Sequence, residues 1–372
     1  MDRIKRYIDC SIPIETCNLR CHYCYIAQKR KFNNKIIAFE HSPDFIRKAL
    51  SKERLGGVCL FNLCAGGETL LSDEILPIIK ELLSEGHYVM IVTNGTLTKR
   101  FQEVALWQKE LLSRLFFKFS YHFLEMIRMD MTEQFFSNVN LVKESGASFT
   151  VEITPSDELI PYIDEIKEVC MKHLGALCHV SIARDERTNG FVVLSDYDFD
   201  QYKNIWGVFK SDLFSFKSEI FYKKRHEFCY AGDWSGFLDL NSGVLKKCVY
   251  EEIIDNIYDN IDRPINFEAV GTKCSMPHCY NGHSYLTLGT IPTLNTPTYA
   301  DIRNRMCDDG SEWLQPKMKA FMSTRLYDNN RQYGLTKKVR LMLPASNKFR
   351  GALAKTSFYQ KLHEVKKFIT QK

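Results

Sequence analysis

The chain has 372 residues, 45% hydrophobic and 26% charged, which is enough apolar material for a sizeable core and too much for a disordered chain. No apolar run reaches the ~20 residues of a membrane-spanning helix, and the opening MDRIKRYID lacks the hydrophobic stretch of a signal peptide, so a cytoplasmic protein with no membrane span is expected. The net charge of +5 is local: Lys317 to Lys372 carries fourteen Lys and Arg against Asp328 and Glu364, which leaves the rest of the chain net acidic.

Hydrophobic runs of strand length alternate with helix-period segments from the start, the pattern of a parallel sheet with crossover helices. Strands are predicted at 8–14, 57–63, 88–92, 115–120, 148–153 and 178–183. The first begins almost at residue 1, so no fused leader-peptide-binding domain is expected ahead of it. Helix ends are marked by Ser42-Pro43, by Ser72 followed by Asp73 and Glu74, and by Gly86 and Gly146. Right-handed crossovers curl six such units into an α/β fold, a partial (β/α)6 TIM-like barrel, whose function gathers on the loops after the strands' C-terminal ends. Those loops are distinctive. CNLRCHYC follows the first strand, Gly66-Gly67-Glu68 the second and Thr93-Asn94-Gly95-Thr96 the third, while Ser120 closes the fourth.

Strand alternation carries the reading into the barrel. If Phe149, Val151 and Ile153 meet the helices, then Thr150, Glu152 and Thr154 turn inward; if Ser120 points inward, so does Lys118. Glu152 and Lys118 are therefore expected to face each other. Such a pair can bind the polar end of a ligand or move a proton, which makes both catalytic candidates, and it can equally be a structural ion pair. His122 and Arg184 read as surface residues near the rim.

Residues 198–228 read as helix packed beneath the barrel mouth, and LDLNSGVLKKC then suggests a β-hairpin. Three domains are expected: a barrel over 1–215, a small cysteine-bearing unit over 216–290, and a basic, mostly helical extension over 291–372 that ends in the helical pattern KTSFYQKLHEVKKFITQK. The basic extension interleaves charge with apolar residues and contains no nucleic-acid-binding motif, so a nucleic-acid partner is not expected. Within the small unit Cys229, Cys248, Cys274 and Cys279 form a four-thiol set suited to an iron–sulfur cluster or a zinc ion, with His278 or His283 able to replace a thiolate.

The remaining question is the chemistry of Cys17, Cys21 and Cys24. Thirteen cysteines without an export signal read as ligands and buried thiols rather than as a disulfide framework. Three thiolates on one short loop can hold three corners of a four-iron cubane and leave the fourth iron open; a zinc knuckle, a disulfide or buried thiols are the other readings.

Cys17-x3-Cys21-x2-Cys24, with Tyr23 before the last cysteine, resembles the signature of the radical S-adenosylmethionine superfamily. The resemblance implies a [4Fe-4S] cluster whose open iron chelates S-adenosylmethionine, and one-electron cleavage of that cofactor to methionine and a 5′-deoxyadenosyl radical that takes a hydrogen atom from substrate. It further implies that Gly66, Gly67 and Glu68 hold the cofactor's amino group, that Ser120 and Asn94 line its pocket, and that Tyr23 supports the adenine. CYAGDW at Cys229, followed by the hairpin ending at Cys248, resembles the opening of the SPASM extension, and implies one auxiliary [4Fe-4S] cluster. The full SPASM pattern is denser than the KCSMPHCYNGH found here. A flavodoxin or ferredoxin is the implied electron donor. The expected substrate is a peptide or protein, as for a maturase, with an epimerase or dehydrogenase acting on a carbohydrate or nucleotide-sugar as the alternative. From another class, a non-catalytic metal-binding protein with a polyanion-binding tail remains open. In related epimerases a thiol returns a hydrogen atom to the substrate radical, and the sequence does not single out which spare cysteine would do so.

Overall fold

The computed structural model describes residues 2–36, 38–188, 191–249 and 252–342. Strands β1 (Arg6–Ile12), β2 (Cys59–Ala65), β3 (Tyr88–Thr93), β4 (Leu115–Ser120), β5 (Ser148–Ile153) and β6 (His179–Val180) pair side by side in parallel. Beyond β1 the same sheet continues through β7 (Ser235–Asp239), which is parallel to β1, and then through the antiparallel β8 (Val244–Lys246) and β9 (Ile253–Asn256). The order is β6-β5-β4-β3-β2-β1-β7-β8-β9, an open sheet whose first six strands make the partial (β/α)6 barrel. The β7–β8 hairpin turns at Asn241-Ser242-Gly243, and Gly243 takes a φ of +76° that favours glycine.

Local chemistry explains most boundaries. Ser42 caps the helix Pro43–Ala49 by accepting from the Phe45 N–H at 3.3 Å, and Pro43 occupies the first helical position. Gly146 ends the helix Thr132–Ser145 in the left-handed conformation. The second strand starts two residues later than its hydrophobic run suggests because Gly56 and Gly57 turn the chain out of the preceding helix. The sixth strand is shorter than the predicted 178–183: its pairing with β5 covers only His179 and Val180, and the Ala183 N–H bonds the Tyr202 hydroxyl instead.

The two faces of the sheet are packed differently. Outward residues such as Ile8, Phe61, Leu63, Val89, Ile91, Phe117, Phe119 and Val151 join the crossover helices in one apolar cluster. Inward residues at the start of the strands, Tyr7, Leu60, Tyr88, Met90 and Phe116, meet a second cluster built mainly from the segment after residue 284, joined by Leu213, Phe216, Tyr230 and Trp234. Tyr88 stacks on Phe321 at 3.6 Å between ring centres, Tyr7 meets Tyr285 edge-on, and the Tyr299 hydroxyl lies 3.2 Å from the Met90 sulfur. This segment floors the concave side and leaves the C-terminal half of the strands open above it. It includes helices Pro316–Met322 and Leu335–Met342; residues 343–372, with the helical ending predicted there, lie outside the described residues. Among the described residues no helix is long and apolar enough to cross a membrane.

Candidate functional site

The loop after β1 is anchored by Ile14, Leu19 and Ile26, all buried, so that the cysteines between them are carried over the barrel mouth. Cys17, Cys21 and Cys24 line one pocket together with Gly66, Gly67, Glu68, Asn94 and Ser120, contributed by the ends of β1, β2, β3 and β4. Burial pushes all three thiols up, and the neighbouring Cys24 adds to this at Cys21. Thiols so placed stay protonated unless a strongly positive centre binds them, which is the demand an iron cluster meets. Two of the three, Cys17 and Cys24, are half-exposed towards the pocket.

The glycine loop is locked onto the cysteine loop. The Gly67 N–H donates to the Ile14 carbonyl, and the Glu68 N–H donates to the Thr16 carbonyl at 3.0 Å. A Cβ on Gly67 would lie 1.9 Å from the Thr16 oxygen, so no other residue fits this close approach. Glu68 is buried and already busy: it accepts from Thr93 Oγ1 at 2.7 Å, the Asn94 N–H at 2.7 Å and the Leu70 N–H at 3.0 Å. Burial raises its pKa, with these bonds opposing. A carboxylate offers about four acceptor positions, so one remains for an incoming donor.

Asn94 continues the network, reaching Cys17 Sγ at 3.7 Å and Asn18 Oδ1 at 2.8 Å, and accepting from Thr96 Oγ1 at 2.7 Å. Asn18, Thr93 and Thr96 thus tie three loops together; the polar run Thr93–Thr96 was the signal available for two of them. Tyr23 bonds His122 Nδ1 through its hydroxyl at 2.7 Å, and it is His122 that reaches the pocket lining. His122 is therefore not the surface residue its position suggested: burial pushes its pKa down to about 4. Arg184 is likewise half-buried, 3.8 Å over the Tyr280 ring and 3.4 Å from Glu186.

Below the pocket, Lys118 Nζ lies 3.3 Å from Glu152 Oε2. A third member comes from the distant floor segment: Arg303, fully buried, pairs with Glu152 Oε1. Nothing local in the sequence marks Arg303. Burial first, then the Arg303 charge, lowers Lys118 to about 8. Asp9 on β1 is buried and accepts from Asn62 Nδ2 at 2.8 Å and Asn281 Nδ2 at 3.0 Å.

The second thiol set also gathers. Burial raises Cys248 and Cys279, and the other members of the set, Cys229 and Cys274, add to the rise at both. A pair of backbone bonds at 2.9 Å between Cys229 and Gly271 fixes one corner. His278 is buried against Phe221, with its pKa pushed down to about 4 by burial. Among the described residues no three His, Cys, Asp or Glu side chains are drawn together as one metal ion would require.

Residues 11–156 match the family model described as the Radical SAM superfamily. That stretch resembles a radical SAM domain. A curated relative, the 7-carboxy-7-deazaguanine synthase of Aquifex aeolicus (strain VF5), is 31% identical over 86 residues, 23% of this chain and 36% of that protein. Among solved structures, Streptococcus suis SuiB bound to S-adenosylmethionine is 14% identical with a TM-score of 0.48, covering 69% of this chain and 65% of that one. Native anSMEcpe with bound AdoMet is 14% identical with a TM-score of 0.45, covering 68% and 79%. The chain thus spans about a third of its curated relative and less than two thirds of SuiB. The matched segment contains the cysteine loop, the glycine loop, Asn94, Ser120, Lys118 and Glu152.

Proposed function

We propose that the chain is a radical enzyme dependent on S-adenosylmethionine, with Cys17, Cys21 and Cys24 holding a [4Fe-4S] cluster. The observation that carries this reading is a single pocket lined at once by the three thiols and by Gly66, Gly67, Glu68, Asn94 and Ser120. When bound, cluster and cofactor supply one-electron cleavage to methionine and a 5′-deoxyadenosyl radical. The protein's own residues hold and orient. Glu68 has one free acceptor position for the cofactor's ammonium, a charge-assisted bond in a buried site. Asn94 steadies the Cys17 sulfur, Ser120 offers a hydroxyl to the ribose, and Tyr23, braced by His122, backs the adenine side. Lys118, its pKa lowered by burial to about 8, can hold or release a proton at Nζ beside Glu152.

In this reading Cys229, Cys248, Cys274 and Cys279 would hold one auxiliary [4Fe-4S] cluster within the 216–290 unit. The substrate is a peptide or protein, favoured by the SPASM-like character of that unit, and the reductant is a flavodoxin or ferredoxin. Thirteen cysteines, none in a disulfide among the described residues, suit a reducing cytoplasm.

The test is anaerobic reconstitution followed by iron and sulfide analysis and by assay for 5′-deoxyadenosine under reduction. Wild-type protein should carry two clusters and make the product. Changing Cys17, Cys21 and Cys24 together to Ala should bring the product to background and halve the iron, while Cys229→Ala with Cys248→Ala should spare the first cluster. Protein that takes up only zinc, or a complete cluster that leaves the cofactor intact, would overturn the proposal and favour a metal-binding scaffold.

A further inference from the structure

The barrel interior holds more positive charge than its carboxylates neutralise. Glu152 is shared by Lys118 and Arg303. Glu186 is shared by Arg184, at 3.4 Å, and Lys29, at 3.3 Å. Lys217, on the helix Asp212–Ile220, reaches in beside β6 and bonds Ser181 Oγ at 2.7 Å; among the described residues no carboxylate lies within ion-pair distance of it. Asp9 is occupied by two amides rather than by a cation. Five basic groups thus share four carboxylates, Glu68 at the pocket rim included, in a region where unpaired charge is costly.

Three of these groups are near enough to act on one another electrostatically. After burial, Arg184 and Lys118 are the groups that push Lys217 down, and Lys217, Lys118 and Arg184 are those that push His283 down. Two buried polar atoms nearby have no partner among the described residues: Thr150 Oγ1, in register with Lys118 on the adjacent strand, and His283 Nδ1. Thr150 is itself fully buried.

The region is also reachable. At the C-terminal half of the strands the inward residues Asn62, Cys64, Val92, Lys118 and Ser120 are half-exposed, although their outward neighbours are fully buried. Val92 and Ser120 line the thiol pocket, and Lys118 lies two residues, about 7 Å, deeper along β4 than Ser120. The interior chamber below that pocket is thus partly solvent-accessible at Asn62, Cys64 and Lys118, and basic groups outnumber carboxylates in its lining.

We infer that this chamber is an anion subsite, in which Lys118, Lys217 and Arg184 grip a carboxylate or phosphate of the substrate and so hold its reacting carbon towards the cofactor pocket. The inference rests on the radical-enzyme reading only for calling the bound molecule a substrate. Charge-assisted bonds from two ammonium groups and a guanidinium fix an oxyanion's position, with Thr150 as a further donor.

The experiment is calorimetric titration of the reconstituted, full-length protein, saturated with S-adenosylmethionine, with succinate, inorganic phosphate and neutral succinamide. At least one anion should bind at least tenfold more tightly than succinamide; the tighter of the two identifies the substrate's anionic group. Lys217→Met should weaken that anion at least tenfold, Lys217→Arg should retain most of the affinity, and Lys203→Met, at an exposed lysine on a neighbouring helix, should leave it unchanged. Equal binding of anions and succinamide would overturn the inference. So would equal effects of Lys217→Met and Lys203→Met, or competition between the anion and S-adenosylmethionine, which would assign the cations to the cofactor's own carboxylate. If Lys217→Met fails to fold, the wild-type comparison and Lys217→Arg still decide. Formation of 5′-deoxyadenosine, assayed in the same preparations, separates the two readings. Cofactor cleavage without anion selectivity sinks the subsite alone, and anion selectivity without cleavage sinks the radical reading alone.

Discussion

The outer and inner faces of the barrel sheet are made from the same strands and have opposite characters. Along β4, Phe117 and Phe119 point outward into the helices and are fully buried, while Phe116, Lys118 and Ser120 point inward and grade from apolar floor to charged interior to the rim of the thiol pocket. The outer face and the floor supply the apolar burial that holds the strands in place, so the upper inner face can carry groups that cost stability. Charge is tolerated there because the surrounding packing does not depend on it.

If that division is right, damage to the outer face should cost stability and leave the site's chemistry per folded molecule unchanged. Phe117 packs against Phe101 and Phe119 with ring centres 5.6 and 5.7 Å away. Phe117→Ala should lower the unfolding free energy by about 3–5 kcal/mol, read from denaturant midpoints, with 5′-deoxyadenosine formed per folded molecule unchanged. A proportionate loss of turnover would break the comparison.

A smaller effect is expected from His87, which also meets the outer face. Its ring packs edge-on to Phe61, Nδ1 accepts from the Cys59 N–H at 3.1 Å, and Nε2 therefore donates to the Leu50 carbonyl at 2.9 Å. Burial pushes its pKa from 6.5 down to about 4, so the folded state holds the neutral ring. The stabilisation is complete above pH 6.5 and is lost as the pH falls from 6.5 towards 4, by roughly 3 kcal/mol in all. Comparing wild-type and His87→Gln denaturation at pH 7 and pH 4.5 isolates this share from that of the other buried histidines. A variant with an unchanged acid slope would mean that the ring is not held neutral.

Much of this architecture was legible because strand alternation is a local signal. The ends of β4 and β5 follow directly from hydrophobic runs, and the meeting of Lys118 with Glu152 follows from period two on adjacent strands. The cysteine and glycine loops were legible because thiols and glycines at fixed offsets have few alternative uses. What stayed hidden depends on contacts distant in sequence. Arg303 enters from 151 residues beyond Glu152, and Lys217 arrives on a helix that read only as packed beneath the barrel mouth. His122 and Arg184 looked like surface residues because the aromatic rings that cover them, Tyr23 and Tyr280, come from other segments.

Arg303 gives the finest test of how the two faces divide their roles. It is the floor segment's contribution to the charged chamber, so it belongs to both the packing and the polar layer: its guanidinium lies 5.0 Å over the Tyr299 ring while it pairs with Glu152. Arg303→Met keeps most of the stem's packing and removes the charge. Glu152 would not be stranded, because Lys118 remains 3.3 Å away, so the cost should be that of one charge-assisted contact, about 1.5–3 kcal/mol, rather than that of an orphaned buried ion. Removing the neighbouring positive charge should also raise the Lys118 pKa above about 8, because Arg303 is the largest charge depressing it after burial itself. Any alkaline limb in the pH profile of turnover that reports Lys118 should therefore move to higher pH in the variant. A loss of stability with no movement of that limb would make Arg303 a packing residue alone and would assign the polar layer to Lys118 and Glu152.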